Sequence, residues 1–257
     1  MFIDSHCHLD FSEFSASLPE VLCAARNNGV KEFVVPSVSA SNFAAVIALT
    51  AANPDMHLAL GMHPCFMALH QGEHLDDLKA LIDRHSPCAI GEIGLDFFID
   101  ADTQQRQRQL ELFKAQLKIA AAAQLPVLLH VRKAHDQVLL LLKQLKFNAG
   151  GIVHAFNGSE VQAQRYCREF GFKLGFGGAI THPRAAKLRH LAASLPLTDL
   201  VLETDSPDMP VANMAETYNQ PANIKQIAAT VFALRPETAT EIERQLEMNT
   251  REILALA

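Results

Sequence analysis

Tryptophan is absent from the 257-residue chain, and tyrosine occurs only twice. Rows of stacking aromatics for tracking a long single strand are therefore not an obvious feature. Positive charge is scarce as well: 22 Lys and Arg stand against 28 Asp and Glu, a formal net charge of -6. That balance argues against a sequence-independent duplex binder with a large basic face, and it leaves room for a local basic patch. The five cysteines (Cys7, Cys23, Cys65, Cys88, Cys167) are odd in number and never spaced Cys-x-x-Cys. A disulfide framework or structural zinc knuckle is not expected, which suits a reducing cytoplasm. No basic-then-apolar leader precedes the first apolar run. The longest uncharged apolar-rich stretch, Ile119 to Leu129, is broken by Gln124 and Pro126 and is too short for a bilayer. A soluble cytoplasmic protein with no membrane partner is expected.

What the chain does contain is core material, 49% hydrophobic residues with 19% charged. Short apolar runs alternate with stretches of helical period. Eight runs read as buried parallel strands: Phe2–His6, Glu32–Pro36, His57–Met62, Ala89–Ile93, Val127–His130, Ile152–His154, Phe172–Phe176 and Leu200–Thr204. Helices are expected near Leu18–Asn28, Ala40–Ala52, Leu75–His85, Thr103–Gln124, His135–Lys146, Ser159–Phe170 and Pro183–Leu195. Two more fill the tail from Ala222 to Leu256, separated near Arg235-Pro236. Asn28-Gly29 has the form of a left-handed helix end, Thr103 and Ser159 suit N-caps, and Pro183 suits a first helical turn. Eight β/α units without linker or repeat predict a (β/α)₈ TIM barrel occupying residues 1–257 as a single domain. An open doubly wound sheet is the runner-up, but no Gly-x-Gly-x-x-Gly follows any strand.

In such a barrel, chemistry gathers at the C-terminal ends of the strands. The first end carries His6 and His8, a spacing that puts both imidazoles on one face of an extended chain. The other ends carry His63, Glu92, His130, His154 and Asp205, so five of the twelve histidines fall at strand ends. Each has an ordinary alternative. His130 and His154 could be hydrogen-bonded core histidines, and Asp205 could cap the loop that follows it. Glu92 is harder to set aside, since a carboxylate on a buried strand is costly to ionise unless a cation compensates it. Six ligand-type residues on one rim (His6, His8, Glu92, His130, His154, Asp205) point to a metal site.

Four histidines, one Glu and one Asp exceed the three protein ligands of a single catalytic zinc. They suit two divalent cations bridged by a carboxylate, with Glu92 on the fourth strand as the bridge. Mixed imidazole and carboxylate ligation fits Zn, Mn, Ni or Fe, and tolerates Mg less readily.

The motifs Asp4-Ser5-His6-Cys7-His8-Leu9-Asp10, Gly61-Met62-His63-Pro64, Gly91-Glu92-Ile93-Gly94-Leu95-Asp96 and Leu129-His130-Val131-Arg132 run in order along the chain. They continue through His154-Ala155-Phe156-Asn157-Gly158-Ser159, Gly175-Phe176-Gly177-Gly178, Glu203-Thr204-Asp205-Ser206-Pro207 and Pro221-Ala222-Asn223-Ile224. With these motifs the chain resembles the TatD family of metal-dependent hydrolases, and Asp208-Met209-Pro210 resembles its YjjV-like branch. The resemblance implies a divalent-metal phosphodiesterase of the DNase type, in some members a 3′–5′ exonuclease. It also implies that His6, His8, Glu92 and Asp205 hold one ion, and Glu92, His130 and His154 the other. Many members carry a basic stretch before the Pro-Ala-Asn-Ile segment. Here residues 211–220 contain no basic residue and one Glu, so weak DNA affinity with a shallow salt dependence is expected.

The substrate expected is a phosphodiester, such as DNA ends or short single strands, with no obligate protein partner. Glu92 and Asp205 are the expected catalytic groups, Asp205 orienting water and accepting its proton. Arg132 is expected to clamp phosphate, because its guanidinium fork matches two phosphate oxygens; its alternative is a salt bridge to a loop carboxylate. His63 is expected to face substrate or to support the ligands, with His182 a weaker candidate on the same rim. Two rivals remain: a metal-dependent hydrolase of a small-molecule ester, lactone or amide, and a non-catalytic metal-binding scaffold.

Overall fold

The computed structural model describes residues 1–99 and 102–257. Eight parallel strands follow one another in the ladder in chain order. They are β1 (Phe2–Asp4), β2 (Val30–Pro36), β3 (Met56–Leu60), β4 (Ala89–Asp96), β5 (Val127–Arg132), β6 (Gly151–Val153), β7 (Phe172–Phe176) and β8 (Leu200–Leu202). The two ends of the ladder meet where the Ser5 N–H donates to the Leu202 carbonyl at 3.0 Å. The sheet is thus rolled into a (β/α)₈ barrel. After each strand the chain returns through a helix: α1 (Leu18–Asn27), α2 (Phe43–Ala52), α3 (His74–His85), α4 (Thr103–Ala123), α5 (His135–Gln144), α6 (Glu160–Phe170), α7 (Ala186–Ser194) and α8 (Ile224–Leu234). A further helix, α9 (Ala239–Leu254), follows the last unit. Among the described residues, no helix is long and apolar enough to cross a membrane.

Period two sorts each strand into an inner and an outer face. Ile3, Val34, Ala59, Ala89, Leu128, Ile152 and Val201 form one buried layer inside the barrel. Their neighbours, such as Phe33, Val35, Leu129 and Val153, face the helices and join the larger core. Burying each Val, Ile or Leu contributes about 1.5–3 kcal/mol. Leu254 of α9 belongs to the inner layer, so the last helix closes the barrel floor. That helix is anchored by ion pairs from Arg251 to Glu32 and from the Met1 amino group to Glu243. Asn249 adds hydrogen bonds to the Leu197 and Leu200 carbonyls, at 2.8 and 2.7 Å.

Several boundaries depart from the sequence reading, each for a local reason. The N-cap of α4 is Asp102, whose carboxylate accepts the Gln104 N–H at 3.1 Å, so Thr103 is already helical. Pro183 lies outside α7, which starts at Ala186. His182 before it has ψ 124°, the extended conformation that a following proline favours. β1 and β8 stop two residues early. Past Asp4 and Leu202 the two segments bond to each other instead, the Asp205 N–H donating to the His6 carbonyl at 2.8 Å. Ser159 caps α6 as expected, accepting the Gln162 N–H at 3.2 Å. Gly29 takes the left-handed φ of +91° that ends α1.

One irregularity decides what faces the barrel axis. Ile90 pairs with Val127 and Ile93 with Leu129, so β4 spends three residues where β5 spends two. Strict alternation from the inward Ala89 would turn Glu92 toward the helices. The extra residue reverses the parity, sending Ile93 and Leu95 to the helix side and Glu92 to the axis.

A candidate metal centre at the barrel mouth

The side chains two steps above the inner apolar layer build the site. His130 follows Leu128 and His154 follows Ile152 on the same inward faces, while His63 lies four residues beyond Ala59. His6 and His8 arrive from the segment after β1, and Asp205 from the segment after β8. His6, His8, His63, His154 and Glu92 are all buried.

Glu92 sits at the centre. Its Oε2 lies 3.0 Å from His6 Nε2 and 3.4 Å from His8 Nε2. Its Oε1 lies 3.1 Å from His63 Nε2, from His130 Nδ1 and from His154 Nε2. Asp205 Oδ1 stands farther off, 3.8 Å from His6, 3.7 Å from His8 and 3.9 Å from His154. Three groupings of ligand-type atoms come within 4.8 Å of one another: His6 with His8 and Glu92, Glu92 with His130 and His154, and His6 with His154 and Asp205. His63 and His130 form a fourth with Cys65.

The protonation balance is that of cations and anions competing in a dry site. Burial alone would raise the Glu92 carboxyl, but His63, His154 and His6 outweigh it and hold it well below the usual range. His6 is pulled down to about 3, first by burial and then by His154. His154 is held well above its ordinary value, since Glu92 and Asp205 overcome the effect of burial. Asp205 is pushed up to about 6 by burial, against the pull of His154 and His8.

A divalent cation fits this donor set. His154 Nδ1, 3.9 Å from Asp205 Oδ1, is buried without a hydrogen-bond partner. Polar atoms so placed are costly unless something compensates them. A dication would also neutralise the carboxylates now balanced by shared protons.

Supporting residues that the sequence reading passed over orient the ligand-type groups. Asp96 Oδ2 accepts His130 Nε2–H at 3.0 Å, which leaves the Nδ1 lone pair facing Glu92. The Phe98 and Ile99 N–H groups hold Asp96 in turn, at 2.9 and 3.1 Å. Burial would raise Asp96, but the His130 hydrogen bond and these amides bring it down to about 2. Glu203 reaches toward His154 Nδ1 at 3.7 Å and accepts the Ala155 N–H. Asp4 accepts from the Thr204 hydroxyl at 2.6 Å, tying the end of β1 to the segment that bears Asp205. Asn219 donates to the Thr204 and Met209 carbonyls, at 2.8 and 3.1 Å, and so shapes the same segment. Asp96 is legible in the motif that supplied Glu92, because it lies two inward steps past that residue.

The remaining expected residues fall as follows. His63 Nδ1 accepts the Cys65 N–H at 3.0 Å, so the neutral ring carries its proton on Nε2, toward Glu92. Arg132 stands exposed at the rim with its guanidinium carbon 3.8 Å from the Phe98 ring centroid. His182 lies outside the cluster and hydrogen-bonds the Pro210 carbonyl at 3.0 Å. A cavity of about 370 Å³ opens over the cluster, with His130, His154 and Asp205 on one side and Phe156, Phe176 and Ile180 on the other.

Known proteins are similar to this chain over nearly its whole length. The chain is 42% identical over 251 residues to the metal-dependent hydrolase YjjV of Escherichia coli K12, covering 97% of this chain and 96% of that protein. The crystal structure of YjjV superposes with a TM-score of 0.92 at 40% identity, covering 100% of this chain and 98% of that one. The 3′-5′ ssDNA/RNA exonuclease TatD of Klebsiella pneumoniae (strain 342) is 30% identical over 259 residues, 98% of this chain and 97% of that protein. The profile of the TatD related DNase family matches residues 3–255. That match runs from the first strand into the last helix, and on it the chain belongs to the TatD-related family of metal-dependent hydrolases.

Proposed function

We propose that the protein hydrolyses phosphodiester bonds, acting as a deoxyribonuclease on DNA ends or short single strands through a dinuclear divalent-metal centre. The observation that carries this reading is the orientation of Glu92, one carboxylate oxygen toward His6 and His8 and the other toward His130 and His154. A bridging carboxylate has this disposition. His6, His8, Glu92 and Asp205 would hold one ion, and Glu92, His130 and His154 the other. Bound there, Zn, Mn, Ni or Mg would polarise a phosphoryl oxygen and lower the pKa of water.

The chain's own residues do the rest. Asp205, whose Oδ1 stands 3.7 Å from His8 and 3.9 Å from His154 at the edge of the cluster, is placed to orient the attacking water and take its proton. Arg132 presents an exposed guanidinium at the mouth, where it can fork onto two phosphate oxygens. The His63 Nε2–H, fixed by the Cys65 amide, is a donor for a substrate oxygen or for Glu92. The exonuclease name of the Klebsiella relative favours nucleic acid as substrate, with 3′–5′ polarity the corresponding expectation.

A small-molecule ester is the second reading, favoured by the apolar wall of Phe156, Phe176 and Ile180. The test is a panel of bis-p-nitrophenyl phosphate, end-labelled oligonucleotides and a lactone, each with and without chelator. Metal-dependent cleavage of the first two is expected, and Glu92→Ala should reduce it by about 10³-fold or more with the melting temperature retained. Full activity in that variant removes the bridging role. Turnover of the lactone alone selects the second reading.

A further inference from the structure

Beside the metal-centre cavity lies a second depression, lined by Phe98, Arg132, Lys133, Asn157 and Lys187 among others. Arg132 and Asn157 line both spaces, so the two adjoin. We infer that this depression is a subsite for the nucleotide adjoining the reacting phosphodiester, Lys133 and Lys187 taking the next phosphate and Phe98 supporting the base, with Arg132 between them at the reacting phosphate. The inference rests on the phosphodiesterase reading and names the part of the substrate that the metal cluster does not touch.

Charge carries the first half. Arg132, Lys133 and Lys187 are exposed and come from two segments far apart in sequence, the end of β5 and the first turn of α7. No carboxylate among the described residues lines the depression. The hydrogen bond of Lys187 goes to a neutral acceptor, the Asn157 carbonyl at 2.7 Å. The neighbouring Asp136 accepts instead from the Gln162 amide at 2.8 Å. Like charges gathered with no carboxylate among the described lining residues, on a chain of net charge -6, attract an anion that lowers their mutual repulsion.

Shape carries the second half. Phe98 is 58% exposed, unusual for a large apolar side chain. The Arg132 guanidinium stacks on it, which gives a flat amphipathic face at the rim. Such a face accepts any nucleobase, and cations beside it follow the sugar-phosphate backbone. A free phosphate or lipid headgroup would use the cations and leave Phe98 without a role.

The test compares the full-length native protein with Lys133→Ala/Lys187→Ala and with Phe98→Ala. Bis-p-nitrophenyl phosphate has one phosphorus and no neighbouring nucleotide, whereas single-stranded dT4 has both. For the double lysine variant, kcat/KM on dT4 should fall about tenfold or more through KM, with bis-p-nitrophenyl phosphate within about twofold of native. The slope of log affinity for dT4 against log salt should flatten by about 1–2. Phe98→Ala should weaken dT4 about tenfold and leave an abasic tetramer unchanged. Equal losses on both substrates, or no change on dT4, overturn the subsite. Binding of labelled dT4 in chelator, read by fluorescence anisotropy, needs no turnover. If the native protein binds dT4, the lysine variant does not, and neither cleaves it, the subsite stands and the phosphodiesterase reading falls. Absence of dT4 binding by the native protein overturns the subsite itself.

Discussion

His130 Nε2 lies 3.0 Å from Asp96 Oδ2, and this one hydrogen bond decides which imidazole nitrogen faces Glu92. With the proton on Nε2, the Nδ1 lone pair points into the cluster, 3.1 Å from Glu92 Oε1. Asp96→Asn removes the charge that fixes this tautomer and lets the ring present a proton where a ligand is needed. Metal affinity should fall about 10–100-fold, with activity recovering at high metal concentration. Competition titration against a chelator of known affinity measures it, and an unchanged affinity would show that Asp96 does not govern the ring.

Thermal stability should depend on divalent metal. A ligand that binds only the folded chain stabilises it by about 2.7 kcal/mol at a hundred times its Kd, a rise of roughly 5–10 °C for a protein of this size. Mn or Zn should raise the melting temperature by that amount and chelator should reverse it. The direction with pH follows from His154, which Glu92 and Asp205 hold protonated well above its ordinary value. A divalent ion must displace that proton, so affinity should rise as pH rises and weaken in acid. Differential scanning calorimetry across pH, with and without metal, reads both effects.

Gly175 leaves the space in which Glu203 sits. A Cβ built at that position would lie 2.1 Å from Glu203 Oε2 and 2.5 Å from its Cδ, so the buried carboxylate would have to shift. Gly175→Ala should destabilise the fold by about 1–3 kcal/mol and reduce turnover by displacing the carboxylate behind His154. Urea unfolding gives the first quantity. A variant of native stability would mean that Glu203 has room to move.

Much of this was legible in the sequence, for physical reasons that also mark where legibility stopped. Eight strands were visible because parallel strands covered by helices read as apolar runs, and ligand-type residues were visible because they interrupt those runs at one end. The inward direction of Glu92 was not, since counting from Ala89 by twos turns it outward and only the bulge corrects the count. Asp96 and Glu203 were passed over because each stands beside a more conspicuous acid in its own motif. The basic depression was hidden for another reason. Residues 211–220 carry no cation, and Arg132, Lys133 and Lys187 come together only through folding, so no contiguous stretch marks the depression. Thr103 does open α4, with Asp102 before it as the cap, whereas the start expected at Pro183 moves to Ala186 because the residue before that proline is extended.

Far from the mouth, Glu32 links the sheet to α9, pairing with Arg251 and with His57 Nε2 at 2.6 Å. Burial would raise Glu32, but Arg251 and His57 hold its carboxyl below its ordinary value of 4.5. A depressed carboxyl contributes stability that is present above its unfolded value and is lost as pH falls through its folded one. Glu32→Gln should therefore cost about 0.5–1 kcal/mol at neutral pH. The difference from native should shrink as pH drops below 4.5, while a gap that persists in acid would assign the effect to packing.

Leu254 at the barrel floor has a consequence for traffic. The inner layer and the plug beneath it leave no passage along the axis, so whatever arrives at the imidazoles must depart by the route it entered. On the proposed phosphodiesterase reading, a polymer would dip a terminus or a short loop into the mouth, and each cleaved fragment would have to back out before the next could advance.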